Sequence, residues 1–440
     1  ACSGLSGDAT DRHSDSDNDG IPDPHDAAPQ DAQEFVADRS GDGVFEICNG
    51  SQLGALSSAA SPIDPARRLA RSYQLVQDLD LKGTSHEPIG NCGPTGNCMR
   101  ALGEFGFAGV FDGQGHSIQN LSIDRPESGG VGLFGVLAES GVVMNLTLRN
   151  VSVFGRAGTG ALVGSNFGVV FNSRADGRVS GALAIGGLVG GSGGLVHASS
   201  FSGIVEGQQA VGGLVGDMTG AVYYSRSEAA VSGKRGVGGL VGLNTFGSVL
   251  ASSASGEVRG TNDVGGLVGA NTDAKVRNSF ATGTVIGESS NIGGLIGFNS
   301  LSSVRNSFAR GPVAGMDGVG GLVGRNNGLI ANGYAAGSVV GEGLAGGVVG
   351  IVVEGTQNAT FAPRGHLTPY GAQQVELTTL SAASSGWIPA QLPNTDLLDY
   401  FCDANHNGFI DPNERTASNY VWRFGTDKQY PALTCAVVME

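Results

Sequence analysis

One phrase returns through the middle of this chain at nearly constant spacing, and it restricts the fold more than any other feature. G-L-V-G, or a close variant, has its second residue at Leu133, Leu162, Leu188, Leu214, Leu240, Leu267, Leu295, Leu322 and Val348, with separations of 29, 26, 26, 26, 27, 28, 27 and 26 residues. A second phrase, V-x-G, recurs at Val179, Val205, Val231, Val258, Val285, Val313 and Val339. Six residues before each stands Ser173, Ser199, Ser225, Ser252, Ser279, Ser307 and finally Gly333. From V-x-G to the next G-L-V-G residue the distance is 9 in every case but one, so length changes enter at only two places, which read as loops. A unit this short cannot bury its own apolar face and must stack on its neighbours.

The residues within each unit decide how it stacks. Short β-branched runs alternate with Gly and Asn, as in "VRNSFATGTVIG" (276–287), and no segment carries an apolar i, i+3, i+4 stripe long enough for a helix. Gly supplies 76 of 440 residues, against a usual share of about 7%. Charged residues are 15% and hydrophobic residues 40%, which is the opposite of a disordered chain. The expected fold is all-β: a right-handed parallel β-helix (β-solenoid) of about nine 26–29-residue coils, each adding about 4.8 Å, with a short N-terminal capping helix and calcium-binding terminal loops. Leu and Val should face inward, the Ser173–Ser307 series should form a hydroxyl column, and Gly at the corners should supply positive φ.

The units "GGLVGLN…SVLASSASGEVRG" and "GGLVGAN…KVRNSFATGTVIG" resemble GLUG repeats, which occur in bacterial surface and secreted proteins. The flanks strengthen the resemblance. "SGDGVFEICNGSQLGAL" is similar to the entry before a capping helix, "GVFDGQGHSIQNLSI" to the coil preceding such repeats, and "VWRFGTDKQYPAL" to their close. The resemblance implies architecture and leaves activity open.

Open solenoid ends need covers. At the front, "SQLGALSSAA" (51–60) reads as a short helix with Ser51 as N-cap. At the back, Trp387, Phe401, Trp422, Phe424 and Tyr430 are suited to covering the last coil. Six cysteines, even in number and placed in loops, read as disulfides of an exported protein: Cys92 with Cys98, Cys402 with Cys435, and Cys2 with Cys48. Ala-Cys at the start also resembles the end of a bacterial lipobox, so a lipid anchor at Cys2 is the other reading of that residue, on a chain that looks already processed.

Both ends carry one acidic device. Calcium takes oxygens from positions 1, 3, 5, 7, 9 and 12 of a loop with Gly at 6, the seventh through its backbone carbonyl. "DANHNGFIDPNE" offers Asp403, Asn405, Asn407, Phe409, Asp411 and Glu414. This loop is EF-hand-like. "DSDNDGIPDPHD" offers Asp15, Asp17, Asp19, Ile21, Asp23 and Asp26, and resembles one thrombospondin type 3 repeat. Asp38, Ser40, Asp42 and Glu46 make a partial third set. Calcium is the expected cofactor, a staple replacing burial that the terminal coils lack. The resulting division is an Asp-rich calcium-binding segment (1–37), an N-terminal cap with first coils (38–128), the repeat solenoid (129–352) and a C-terminal cap with the second loop (353–440).

A net charge of −15 without a basic stripe excludes nucleic acid and anionic membrane as partners. No run of 18 apolar residues could span a membrane as a helix. Catalysis finds little support. The acids of the coil body, Asp176, Asp217, Glu228, Glu257, Asp263, Asp273, Glu288 and Asp317, do not recur at one coil position, so paired glycosidase carboxylates are not evident. His116 beside Asp112 reads as structural, and His197 stands alone. The reading is a non-catalytic, calcium-stabilised extracellular or bacterial cell-surface solenoid for display, adhesion or binding of a polysaccharide or protein ligand. The alternatives are a self-associating filament or matrix subunit and a β-helical polysaccharide lyase or hydrolase.

Overall fold

The computed structural model describes residues 43–57, 65–92, 105–363, 373–375, 422–423 and 432–433. It is a parallel β-solenoid of about 11 turns, more than the nine coils counted from the G-L-V-G phrase. The chain divides into two compact units, one ending at Ile204 and one beginning at Val205. In the first, strand Val44–Ile47 pairs in parallel with Ser72–Leu75, and the column continues through Val110–Asp112, Val142–Met144, Val169–Phe171 and Leu195–His197. Its earliest turns lack the repeated phrase, which explains the undercount. In the second unit the corresponding column runs from Ala221–Tyr223 through Ser248–Leu250 and Lys275–Arg277 to Ile296–Ala309, Val323–Ala335 and Thr356–Pro363. Trp422–Arg423 and Ala432–Leu433, within the stretch read as the repeat close, pair antiparallel.

Two helices stand near the start. Helix α1 (Gly50–Ala55) begins one residue before the predicted one, and its N-cap is Asn49 rather than Ser51. The Asn49 side chain accepts the Gln52 N–H at 2.9 Å, while Gln52 Oε1 accepts the Cys48 N–H at 2.6 Å, so two otherwise orphaned donors are satisfied. Helix α2 (Pro65–Ala70) was not foreseen; it opens on Pro, whose fixed φ and missing N–H suit a first helical position.

The inward residues are those the repeat predicts. All eight phrase leucines from Leu133 to Leu322, together with Val348, are fully buried. Each contributes roughly 1.5–3 kcal/mol relative to exposure. The hydroxyl column also forms. Within the second unit the N–H groups of Ser225, Ser252 and Ser279 donate to Oγ of Ser252, Ser279 and Ser307 at 3.1, 3.2 and 3.3 Å. Each Oγ in turn donates to the carbonyl two residues before it, as Ser252 does to Leu250 at 2.8 Å. In the first unit, Ser173 N–H bonds Ser199 Oγ at 3.2 Å.

The glycines meet the expectation at one corner and depart from it at another. Gly130, Gly158, Gly236 and Gly318 supply positive φ at the corner before the repeated phrase, whereas the corner just before the hydroxyl column has positive φ on Asn172, Ala198, Tyr224, Ala251, Asn278, Asn306 and Asn332. Asn tolerates the left-handed region better than other side-chain-bearing residues. The paired glycines of the repeat are instead required by close backbone approach. A Cβ on Gly239 would lie 2.1 Å from the carbonyl oxygen of Gly266, and one on Gly266 would lie 2.1 Å from that of Gly294. Any side chain there would push successive turns apart.

A second buried ladder was not anticipated. Asn244, Asn271, Asn299 and Asn326 are fully buried in the second unit. Each of the first three donates its Nδ2 to the next one's Oδ1, at 2.8, 2.9 and 2.8 Å, and Asn326 closes the series on the Gly328 carbonyl at 3.0 Å. These residues end the phrase G-G-L-V-G-x-N. An unpaired buried amide would cost about 1–3 kcal/mol, and neighbours at the same register remove that cost. In the first unit Asn166 makes the analogous bond to Ser192 Oγ at 3.0 Å.

Candidate functional site

Both predicted calcium loops, Asp15 to Asp26 and Asp403 to Glu414, lie outside the described residues, as do Cys2, Cys98, Cys402 and Cys435. Cys48 and Cys92 are each disulfide-bonded. Of the partial acidic set only Glu46 is described; it is buried in strand Val44–Ile47, opposite Gln74. No group of three or more His, Cys, Asp or Glu side chains among the described residues could hold a metal.

Most carboxylates of the turns serve the fold. His116 Nδ1 faces Asp78 at 3.4 Å, not Asp112. Asp112 accepts from Gln114 N at 2.8 Å and Asn145 Nδ2 at 3.0 Å. The backbone N–H of Ser117 holds the Asp78 carboxyl below its ordinary range, and Asn120 does the same for Asp80. Asp176 accepts the Asn150 N–H at 2.9 Å. Asp263 pairs with Arg235 at 3.4 Å and Glu257 with Arg259 at 2.6 Å. Asp317 caps Leu344 N at 2.8 Å. His197 stacks on Phe171 with ring centroids 5.3 Å apart. Among the described carboxyls, Asp217 alone is raised, because burial penalises its charged form more than the Met218 N–H favours it.

One concavity of the second unit breaks this pattern, and its origin can be read from chain length. After the buried asparagine, the corner runs from Asn244 to Ser248, Asn271 to Lys275 and Asn299 to Ser303; the shorter run from Asn326 to Leu329 aligns with the same positions. The residue it lacks is the outward bulge of the three preceding turns, where Phe246, Asp273 and Leu301 stand with φ of 63°, 49° and 51°. The following corner, Val352 to Thr356, is again full length. The short corner therefore sits between two longer ones and leaves a notch of about 450 Å³. It is lined by half-buried Ser303, Asn327, Gly328 and Leu329 and by exposed Asp273, Lys275, Leu301 and Glu354. Phe246 and Leu301 are 72% and 68% exposed, the largest exposures among the apolar side chains described. The sequence reading included Asp273 only as one scattered acid and did not single out Glu354, Leu301 or Asn327. The signal that could have found them is the length of this corner.

With this geometry in view, the similarities fall into place. Residues 260–286 match the GLUG motif. Over 146 residues, 31% of this chain, the sequence is 35% identical to Halomucin of Haloquadratum walsbyi. Over 109 residues, 23% of this chain, it is 40% identical to a protein of Evansella cellulosilytica named as a candidate Gly-rich membrane protein. The matched regions span only 1% and 11% of those two proteins. A crystal structure from Bacteroides ovatus, of a candidate immunoglobulin A1 protease, superposes with a TM-score of 0.43 at 20% identity, covering 89% of this chain and 92% of that one. The chain thus carries the GLUG motif within a β-solenoid. Among the described residues no helix is long and apolar enough to cross a membrane.

Proposed function

We propose that this protein is a non-catalytic solenoid of the cell exterior, displayed at or released from a bacterial surface, that binds surface ligands through the sides of its turns. The observation that carries the reading is where the polar groups go. The Ser and Asn columns are consumed in holding turn to turn, and the acids of the turns mostly accept structural hydrogen bonds or pair with nearby arginines. What is left for function is the outward surface of the corners. The likeness to Halomucin and to a Gly-rich protein named for a membrane supports an exterior location. Adhesion of the full chain to bacterial cells and to immobilised polysaccharides, measured by surface plasmon resonance, is the direct test. Release of reducing ends or unsaturated sugars from those polysaccharides would overturn the non-catalytic reading, and fibres in negative stain would move it toward a filament subunit.

Calcium stapling of the two ends belongs to the same proposal. Asp15, Asp17, Asp19, Asp23 and Asp26, and Asp403, Asn405, Asn407, Asp411 and Glu414, supply oxygens in the order a hard cation prefers. Chelation with EDTA is expected to lower the melting temperature by several degrees, and Glu414→Ala to weaken calcium binding in isothermal titration. A melting curve unmoved by chelator refutes the staple.

A further inference from the structure

We infer that the notch at the short Asn326–Leu329 corner is a saccharide subsite, and that it takes a neutral, uncharged sugar segment. The inference rests on the ligand-binding reading above and names where and what.

Three observations meet here. The first is shape: a corner one residue shorter than its neighbours makes a recess spanning the turns of Asp273, Leu301, Asn327 and Glu354. At about 4.8 Å per turn, three to four turns give a length on the order of 10–15 Å, enough for two or three linked sugar rings. The second is chemistry: Asp273 and Glu354 provide carboxylate acceptors, Lys275 an ammonium donor, and Asn327 and Ser303 groups that both donate and accept. None of these five side chains makes a hydrogen bond or ion pair with another described residue, unlike Asp263, Glu257 and Asp317 of the same unit. The third is apolar surface: Leu329 and the 68% exposed Leu301 both line the notch and offer area against which the C–H face of a sugar ring can lie.

The mixture of charges selects the ligand class. A polyanion would meet both carboxylates, Asp273 and Glu354, while Lys275 offers a cationic ligand one like charge and a neutral ligand a donor. Like-charge contacts of this kind raise the cost of a wrong partner. A neutral polyol can satisfy both signs at once, with hydroxyls donating to the carboxylates and accepting from the ammonium. The open, shallow form fits a segment within a longer glycan rather than an enclosed small molecule.

The test uses the full chain and saturation-transfer NMR with neutral trisaccharides of glucose, galactose and mannose, against trigalacturonate as the anionic comparison. At least one neutral trisaccharide is expected to bind, and trigalacturonate to bind more weakly. The double variant Asp273→Asn, Glu354→Gln should weaken the neutral ligand about tenfold, since hydrogen bonds to charged groups are the stronger kind. A variant with one serine inserted between Asn327 and Gly328 refills the corner to the length of its neighbours and should abolish binding without loss of β-sheet circular dichroism. Absence of signal from every neutral trisaccharide, stronger binding of trigalacturonate, or undiminished binding by the insertion variant would each overturn the inference. If the insertion variant lost sugar binding but still adhered to cells, surface adhesion would stand and the notch would have no part in it. If neither protein adhered but the sugar signal remained notch-dependent, the subsite would stand without the adhesive role.

Discussion

The two units share the serine column and the buried leucines but differ in what else fills the interior of their turns. In the first, the early turns vary in length and the interior is filled by rings set at unlike angles: Tyr73 lies 6.2 Å from Phe107, which lies 5.1 Å from Phe134, and Phe111 meets Phe134 edge-on at 5.2 Å. In the second, turn length is nearly constant and like stacks on like. Four asparagines form one ladder, and Phe280, Phe308 and Tyr334 stack at 4.9 Å with planes only 7° apart, Arg310 lying 4.5 Å from the centre of the Phe308 ring. The contrast teaches that a long buried ladder goes with constant register. In the early turns, where register drifts, bulky apolar rings fill the irregular interior, while the turn-to-turn pairs Asn120–Asn150 and Asn145–Asn172 lie at the surface.

If that distinction is right, the largest single loss should come from the ring cluster. Phe134→Ala removes a fully buried side chain touching two other rings and should cost about 3–5 kcal/mol, read by hydrogen exchange of first-unit peptides. Loss spread equally over second-unit peptides would break the comparison.

Acid should next weaken the first unit through His86. Burial lowers its pKa from 6.5 to about 4, against a weaker opposing hydrogen bond to the Leu133 backbone, and its Nε2 has no partner. The unfolded chain therefore takes up the proton first, and stability falls as pH drops from 6.5 toward 4. The loss is on the order of 3 kcal/mol and should disappear in His86→Leu, followed by urea unfolding at pH 7 and 4.5.

The ladder itself comes third. Asn271→Ala removes the acceptor of Asn244 and the donor to Asn299, both buried, and should cost about 2–3 kcal/mol, with faster exchange confined to second-unit peptides. The smallest effect has the opposite sign. Burial raises the pKa of Asp217, so the carboxylate is disfavoured once pH climbs through that value, and Asp217→Asn should modestly stabilise the second unit at neutral pH while leaving it unchanged in acid. Destabilisation by Asp217→Asn at pH 7 would show that its charge is wanted.

Much of this was legible in the sequence because strict spacing leaves few folds. The buried leucines and the Ser252–Ser279–Ser307 column follow from position alone. The asparagine ladder was hidden by habit: Asn after a Gly-rich phrase reads as a turn residue, and only register shows that Asn244 and its successors face inward. The corner conformation was only half legible: Gly236 and Gly318 adopt the left-handed geometry expected of Gly, but Asn278 and Asn306 adopt it at the other corner, and the paired glycines answer to backbone proximity. The early turns escaped counting because Val44–Ile47 and Ser72–Leu75 pair by shape without the repeated words. The notch went unseen because its second carboxylate, Glu354, lies beyond the last recognisable copy.

The buried amide series has a direction: it begins with Asn244 Oδ1, which has no donor, and ends on a backbone oxygen. Every interior rung gives one hydrogen and receives one, so an added copy of the 27-residue module would bring its own pair and leave both termini of the series as they were. Adding or removing a module within this tract therefore leaves the pairing of the amide series unbroken. Only the first and last rungs are fixed by what adjoins them.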